Sequence, residues 1–173
     1  MELKDYITTI PDFPKKGIMF RDITSLLQDG EAFSYAVKKI ADYAKEKGAN
    51  VIVGPEARGF MFGCPVATEL KIGFVPVRKP GKLPRASISE EYALEYGTNT
   101  LSIHADALKE GDKVLIVDDL LATGGTALAG AHLCERLGAK VVGFAFVIDL
   151  VDLKGKELLK DYDVMSLVEY EGE

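Results

Sequence analysis

Apolar residues recur along this chain in two alternating rhythms. Phe33, Ala36, Val37, Ile40, Ala41 and Ala44 share one helical face, so the spacing predicts an amphipathic helix over residues 31–48, stopped by Gly48. Val51-Ile52-Val53 is a continuous apolar run of strand length, residues 57–70 read as a second helix, and Phe74-Val75-Pro76-Val77 as a second strand. The alternation resumes with a strand over 113–118 centred on Val114-Leu115-Ile116-Val117, a helix over 124–137 and a strand over 141–148. Strands that are apolar throughout are buried on both faces, and intervening helices supply the crossovers that parallel pairing needs. The pattern predicts an α/β fold, doubly wound around a mostly parallel sheet.

Three stretches fall outside this rhythm. The first thirty or so residues mix Leu3 and Ile7 with a proline-rich turn, Ile10-Pro11-Asp12-Phe13-Pro14, and a brief apolar run, Gly17-Ile18-Met19-Phe20-Arg21-Asp22. Residues 79–103 contain Pro80, Gly81, Pro84 and Gly97 with no helical period, and a connection of that length in a compact domain is functional or disordered. Its centre suits a hairpin turning at residues 96–99. The acidic stretch 169–173 reads as a solvated end. Residues 1–173 are therefore expected to form one domain, with an N-terminal lobe over about 1–30, a core over about 31–150 interrupted at about 80–103, and a C-terminal extension over about 151–173.

Composition narrows the classes. With 47% hydrophobic residues the chain can bury an ordinary core, and a net charge of −6 provides no global basic field for nucleic acid or anionic lipid. The acidic N-terminus has no signal-peptide pattern, and the longest apolar run, 141–148, is far short of the roughly 20 residues that span a bilayer. Cys64 and Cys134 fall in predicted helices without CxxC spacing, which reads as buried thiols in a reducing cytoplasm. His104 and His132 are isolated in sequence and read as structural, so no His/Cys metal site is expected.

The chemistry concentrates in Val117-Asp118-Asp119-Leu120-Leu121-Ala122-Thr123-Gly124-Gly125-Thr126. A buried strand delivers two adjacent carboxylates, then a Thr/Gly turn opens a helix. In open α/β sheets ligands sit beyond the carboxyl ends of the strands. Gly124 and Gly125 let backbone approach an anion, Thr123 and Thr126 offer hydroxyl donors, and the helix start presents unpaired N–H groups. No Lys-Ser/Thr pair follows, so the loop is not that of the nucleoside triphosphatases, and the dinucleotide pattern G-x-G-x-x-G is absent. Paired acids before an anion loop repel the anion unless something neutral or cationic lies between, a condition met by a ribose or by a sugar with Mg²⁺.

This segment resembles the signature that binds 5-phosphoribosyl 1-diphosphate (PRPP) in the type I phosphoribosyltransferases, in the variant of the adenine phosphoribosyltransferases. The resemblance extends to Phe13-Pro14, Gly17-Ile18 and Phe20-Arg21-Asp22-Ile23, to Glu56, Arg58-Gly59-Phe60, and to Arg78-Lys79, Gly81-Lys82-Leu83-Pro84. It implies transfer of phosphoribose to adenine, giving AMP, in a homodimer with a small N-terminal hood and a mobile flap over the interrupting segment. Ala122, Thr123, Gly124, Gly125 and Thr126 would then hold the 5-phosphate, and Asp118 and Asp119 the ribose hydroxyls. Arg58, Arg78, Lys79 and Lys82 would meet diphosphate. Phe20 and Leu120 would clamp the base, with backbone groups of Met19 and Arg21 reading its edge. In the flap, Glu95, beside Tyr96, matches the proposed general acid at N7. Mg²⁺ would be held mainly through substrate and water.

Two rival readings remain at this stage. An enzyme for hypoxanthine, guanine or xanthine shares the fold, but such enzymes usually carry Asp where this chain has Ala122. A regulator that keeps the loop to bind nucleic acid would need a recognition module or a basic face, which this acidic chain lacks.

Overall fold

The computed structural model describes residues 1–94 and 96–172. Its centre is a five-stranded, wholly parallel sheet built from β3 (Val51–Pro55), β4 (Gly73–Val77), β7 (Lys113–Leu121), β8 (Lys140–Leu150) and β9 (Val164–Tyr170), in the order β4-β3-β7-β8-β9. Helices α2 (Gly30–Lys47) and α3 (Arg58–Leu70) cover one face, where Ala36, Ile40, Phe62 and Val66 meet Leu115, Val117, Ala145 and Val147. On the other face α4 (Gly125–Arg136) buries Ala127, Ala131 and Leu133 against Val114, Ile116, Phe144 and Phe146. Alternate residues of β7 and β8 thus feed opposite layers, which is why these strands read as unbroken apolar runs.

Helix α2 begins where the Asp29 carboxylate accepts the Ala32 N–H and ends at left-handed Gly48, so both boundaries follow from the residue types. Two small antiparallel units flank the core. β1 (Thr8–Pro11) pairs with β2 (Met19–Asp22) to make the N-terminal hood. β5 (Ser87–Ala93) pairs with β6 (Thr98–His104) as a hairpin rooted on α4. The short helices α1 (Thr24–Leu27) and α5 (Gly155–Leu158) complete the chain.

Several expectations need correction. The prolines of the hood do not confine it to a turn: Pro11 closes β1 opposite Met19, at the end of a two-stranded ladder, a position where proline is tolerated. The strand expected to end at 118 continues to Leu121, because Leu120 and Leu121 keep pairing with Ile148 and Asp149. In the stretch 169–173, Glu169, Glu171 and Gly172 are exposed as expected and Glu173 lies outside the described residues, but Glu169 and Tyr170 belong to β9, an edge strand of the main sheet, and the Tyr170 ring is met by Lys4 Nζ at 4.7 Å and Arg21 Cζ at 4.2 Å from its centre. Cys134 is buried as expected, whereas Cys64 lies on the exposed side of α3. His132 is not isolated either, since its Nδ1 lies 3.4 Å from Glu90 Oε2. Among the described residues no helix is long and apolar enough to cross a membrane.

Candidate active site

The strand order reverses between β3 and β7: β4 lies outside β3, and the chain then crosses to β7 on the other side. Two crossovers leaving in opposite directions open a crevice at the carboxyl ends of these strands. A cleft of about 440 Å³ occupies that place, lined by Glu56 to Arg58 from the β3 side and Asp118 to Ala127 from the β7 side, with Phe146 beneath. All seven residues assigned to the ribose and the 5-phosphate line it, together with Arg58 and Leu120.

The phosphate loop owes its shape to Gly124, which caps α4 with φ at +94°, a conformation branched side chains do not adopt. A Cβ there would also stand 3.1 Å from the Gly155 carbonyl oxygen. Helix α4 therefore starts with its first N–H groups turned to the cleft, the arrangement that binds anions. On the opposite wall Gly59 allows close approach, since a Cβ would lie 2.8 Å from Pro55 Cδ and 3.2 Å from Asp118 Oδ1. That contact seats the first turn of α3 against the acid pair.

The two acids are not equivalent. The Asp119 side chain is buried and takes an ion pair from Arg58 Nε at 2.8 Å. The guanidinium thus supplies the cation that an acid pair beside an anion loop requires, and because Nε makes this bond the fork's terminal amino groups are not consumed by it. Asp118 accepts the Asp119 backbone N–H at 2.8 Å. Burial, reinforced by the neighbouring Asp119 carboxylate, nevertheless holds the Asp118 carboxyl well above the ordinary range. A folded state that keeps a proton more tightly than the unfolded chain loses stability as pH rises from the ordinary carboxyl range through the raised value. Asp118→Asn keeps an oxygen for the Asp119 N–H and removes this cost. Its Tm is expected to exceed wild type at pH 8 and to converge with it at pH 4. Scanning calorimetry at the two pH values checks this, and an equal offset at both would contradict the assignment.

The other sequence candidates are placed apart from the lining. Arg78 Nε pairs with Glu56 Oε1 at 3.0 Å, and the Lys79 backbone N–H donates to the same oxygen at 3.0 Å. The Lys79 N–H, then Arg78, hold the Glu56 carboxyl below its ordinary range against partial burial. Glu56 carries part of the resemblance but was given no role in the sequence, and here it anchors the end of β4 to the cleft wall. Lys82 is exposed. Met19, Phe20 and Arg21 are half-buried on β2, outside the cleft lining; Phe20 meets Phe13 edge-on at 5.1 Å, and Arg21 donates to Thr9 Oγ1 at 2.8 Å. Tyr96 is exposed at the hairpin tip, and Glu95 lies outside the described residues. Among the described residues no cluster of three or more His, Cys, Asp or Glu side chains is arranged to hold a metal.

A carboxylate pair feeding a glycine-capped phosphate loop at the switch point of a parallel sheet agrees with what comparison with other proteins finds. Residues 25–172 match the model of the phosphoribosyl transferase domain. The adenine phosphoribosyltransferase of Thermoanaerobacter pseudethanolicus is 53% identical, with 98% of each chain covered and a TM-score of 0.94. The chain belongs to the adenine phosphoribosyltransferase family. The adenine phosphoribosyltransferase of Rhodothermus marinus is 46% identical over 97% of this chain and 96% of its own, with a TM-score of 0.91. That of Saccharomyces cerevisiae, solved with an imino-altritol bisphosphate and adenine, is 38% identical over 96% and 97%, also at 0.91. The five-stranded parallel sheet is the fold of this family.

Proposed function

We propose that this chain transfers the 5-phosphoribosyl group of PRPP to adenine, releasing diphosphate and giving AMP, a purine-salvage reaction. The observation that carries the reading is the cleft in which Asp118, Asp119 and the Ala122–Thr126 loop converge with Arg58. The loop amides and hydroxyls bind the 5-phosphate. The two carboxylates then receive the ribose hydroxyls, which donate to them and relieve their mutual repulsion. Arg58, Arg78, Lys79 and Lys82 are the cations for the leaving diphosphate, with Glu56 aligning Arg78 and Lys79. Adenine takes a place between Phe20 of the hood and Leu120 of the cleft wall, its edge read by backbone groups of Met19 and Arg21; the Arg21 side chain is already engaged with Thr9 and Tyr170.

In the reaction the bond from the ribose C1 to diphosphate breaks and the base nitrogen takes its place. The sugar passes through a cationic, oxocarbenium-like state that water would capture, so a closing flap serves by excluding it. In AMP formation Glu95 takes the proton from N7 as the base nitrogen bonds to C1, and by microscopic reversibility returns it when that nitrogen–C1 bond is cleaved in the reverse direction.

Among the described residues the lining offers carboxylate and hydroxyl oxygens and no thiol or imidazole, a donor set that suits Mg²⁺ better than a softer metal. When bound, Mg²⁺ neutralises charge on the diphosphate. Excess EDTA is expected to reduce AMP formation to background, and added Mg²⁺ to restore it; turnover unaffected by EDTA would remove the ion from the proposal. A homodimer and a cytoplasmic location complete the reading, with Met61 and Cys64 exposed on α3 as apolar surface that a second copy can cover. The base is tested by offering adenine, hypoxanthine, guanine and xanthine separately with PRPP. Nucleotide from adenine alone supports the proposal; product from a 6-oxopurine instead would keep the phosphate loop and discard the base clamp.

A further inference from the structure

The hairpin does more than hang beside the cleft. Tyr92, on β5, places its hydroxyl 2.9 Å from Thr126 Oγ1, and Thr126 is a lining residue of the phosphate loop. The ring edge lies over the same turn: a Cβ on Gly125 would stand 3.2 Å from Tyr92 Cδ2. Neighbouring contacts fix the backbone that carries it. Arg136 of α4 donates to the Ser89 carbonyl and to Glu90 Oε1, and His132 of α4 faces Glu90 Oε2 at 3.4 Å. β5 is therefore clamped on α4 just before Tyr92, while the tip beyond, including Leu94 and Tyr96, is exposed.

We propose that Tyr92 is a positioning residue for the 5-phosphate, acting through Thr126; the inference rests on the PRPP reading of the loop. A threonine hydroxyl has one proton and two acceptor sites. Phenol is the more acidic hydroxyl, so Tyr92 donates to Thr126 Oγ1 and leaves the threonine proton for a phosphate oxygen. A donor chain ending on an anion strengthens each of its links. Without the phenol the threonine rotor loses the partner that aims it, and the root of the hairpin loses its bond to the loop it overhangs.

The test is Tyr92→Phe, which keeps the ring on Gly125 and the clamp on α4. The KM for PRPP is expected to rise about 3–10-fold, the span of one net hydrogen bond, with KM for adenine unchanged and Tm within about 2 °C of wild type. Competition by inorganic phosphate against PRPP should weaken by a similar factor. In a Thr126→Val background the same Tyr92→Phe change should no longer alter the KM for PRPP. Wild-type kinetics for PRPP and phosphate in Tyr92→Phe, or an undiminished effect in Thr126→Val, would overturn the proposal. So would a change confined to Tm, which marks a merely structural tyrosine. Wild-type protein assayed alongside separates the two levels: no AMP from wild type fails the PRPP reading itself, whereas normal AMP with an unmoved Tyr92→Phe fails only this inference.

Discussion

Gly124→Val is expected to abolish the rise in Tm that PRPP gives the wild-type protein and to lower kcat/KM by at least about 10³-fold. Two independent causes act at this position. The backbone there has φ at +94°, which a β-branched residue does not adopt, and the new side chain would press on the Gly155 carbonyl 3.1 Å from its Cβ. The turn must then change shape, and the first N–H groups of α4 move off the position of the phosphate. The amides of the turn supply most of the donors, and the Thr123 and Thr126 hydroxyls are carried on the same turn, so loss of the turn is loss of the site. Thermal shift with and without PRPP reads this directly. Circular dichroism on the same sample separates a misplaced loop from an unfolded chain, and undiminished PRPP protection in a folded variant would reject the assignment of the loop.

Glu95→Gln is expected to lower kcat by about 10²–10⁴-fold with little change in PRPP affinity, the span that a positioned general acid or base contributes. In the sequence it lies three positions beyond Tyr92, between Leu94 and Tyr96, both of which are exposed. A group that must approach the base after PRPP has bound belongs on such a tip. Single-turnover kinetics alongside calorimetric titration of PRPP distinguish chemistry from binding. A turnover within about threefold of wild type would remove Glu95 from the mechanism.

The parts of this molecule that local pattern encodes were legible in the sequence. β7 and β8 are buried on both faces, so their apolar runs announce a parallel sheet, and Gly48 and Gly124 mark helix boundaries through their own left-handed conformations. The acid pair and the phosphate loop are contiguous, so one motif delivered nearly the whole cleft. What stayed hidden depends on partners distant in sequence. β9 mixes Met165, Ser166 and Glu169 because an edge strand has one neighbour, and only its pairing with β8 and the Lys4 and Arg21 contacts on Tyr170 make it part of the sheet. Glu56 shows its role only beside Arg78, and Tyr92 only beside Thr126. The exposure of Cys64 likewise follows from which side of α3 packs on the sheet, since a thiol carries no pattern of its own. The pairing of Asp119 with Arg58 is the instructive case. Electrostatics demanded a neutral or cationic group near the two acids, and the fold brings one from the far side of the switch point.

The most direct measurement is the stoichiometry of the reaction. Purified protein is mixed with PRPP, adenine and Mg²⁺, and AMP and diphosphate are quantified together by chromatography over time. The account predicts equal amounts of the two, appearing only when adenine is present and blocked by Gly124→Val. Neither product from a folded sample that PRPP does not protect against heat would contradict the claim that this cleft is a phosphoribosyl-transfer site.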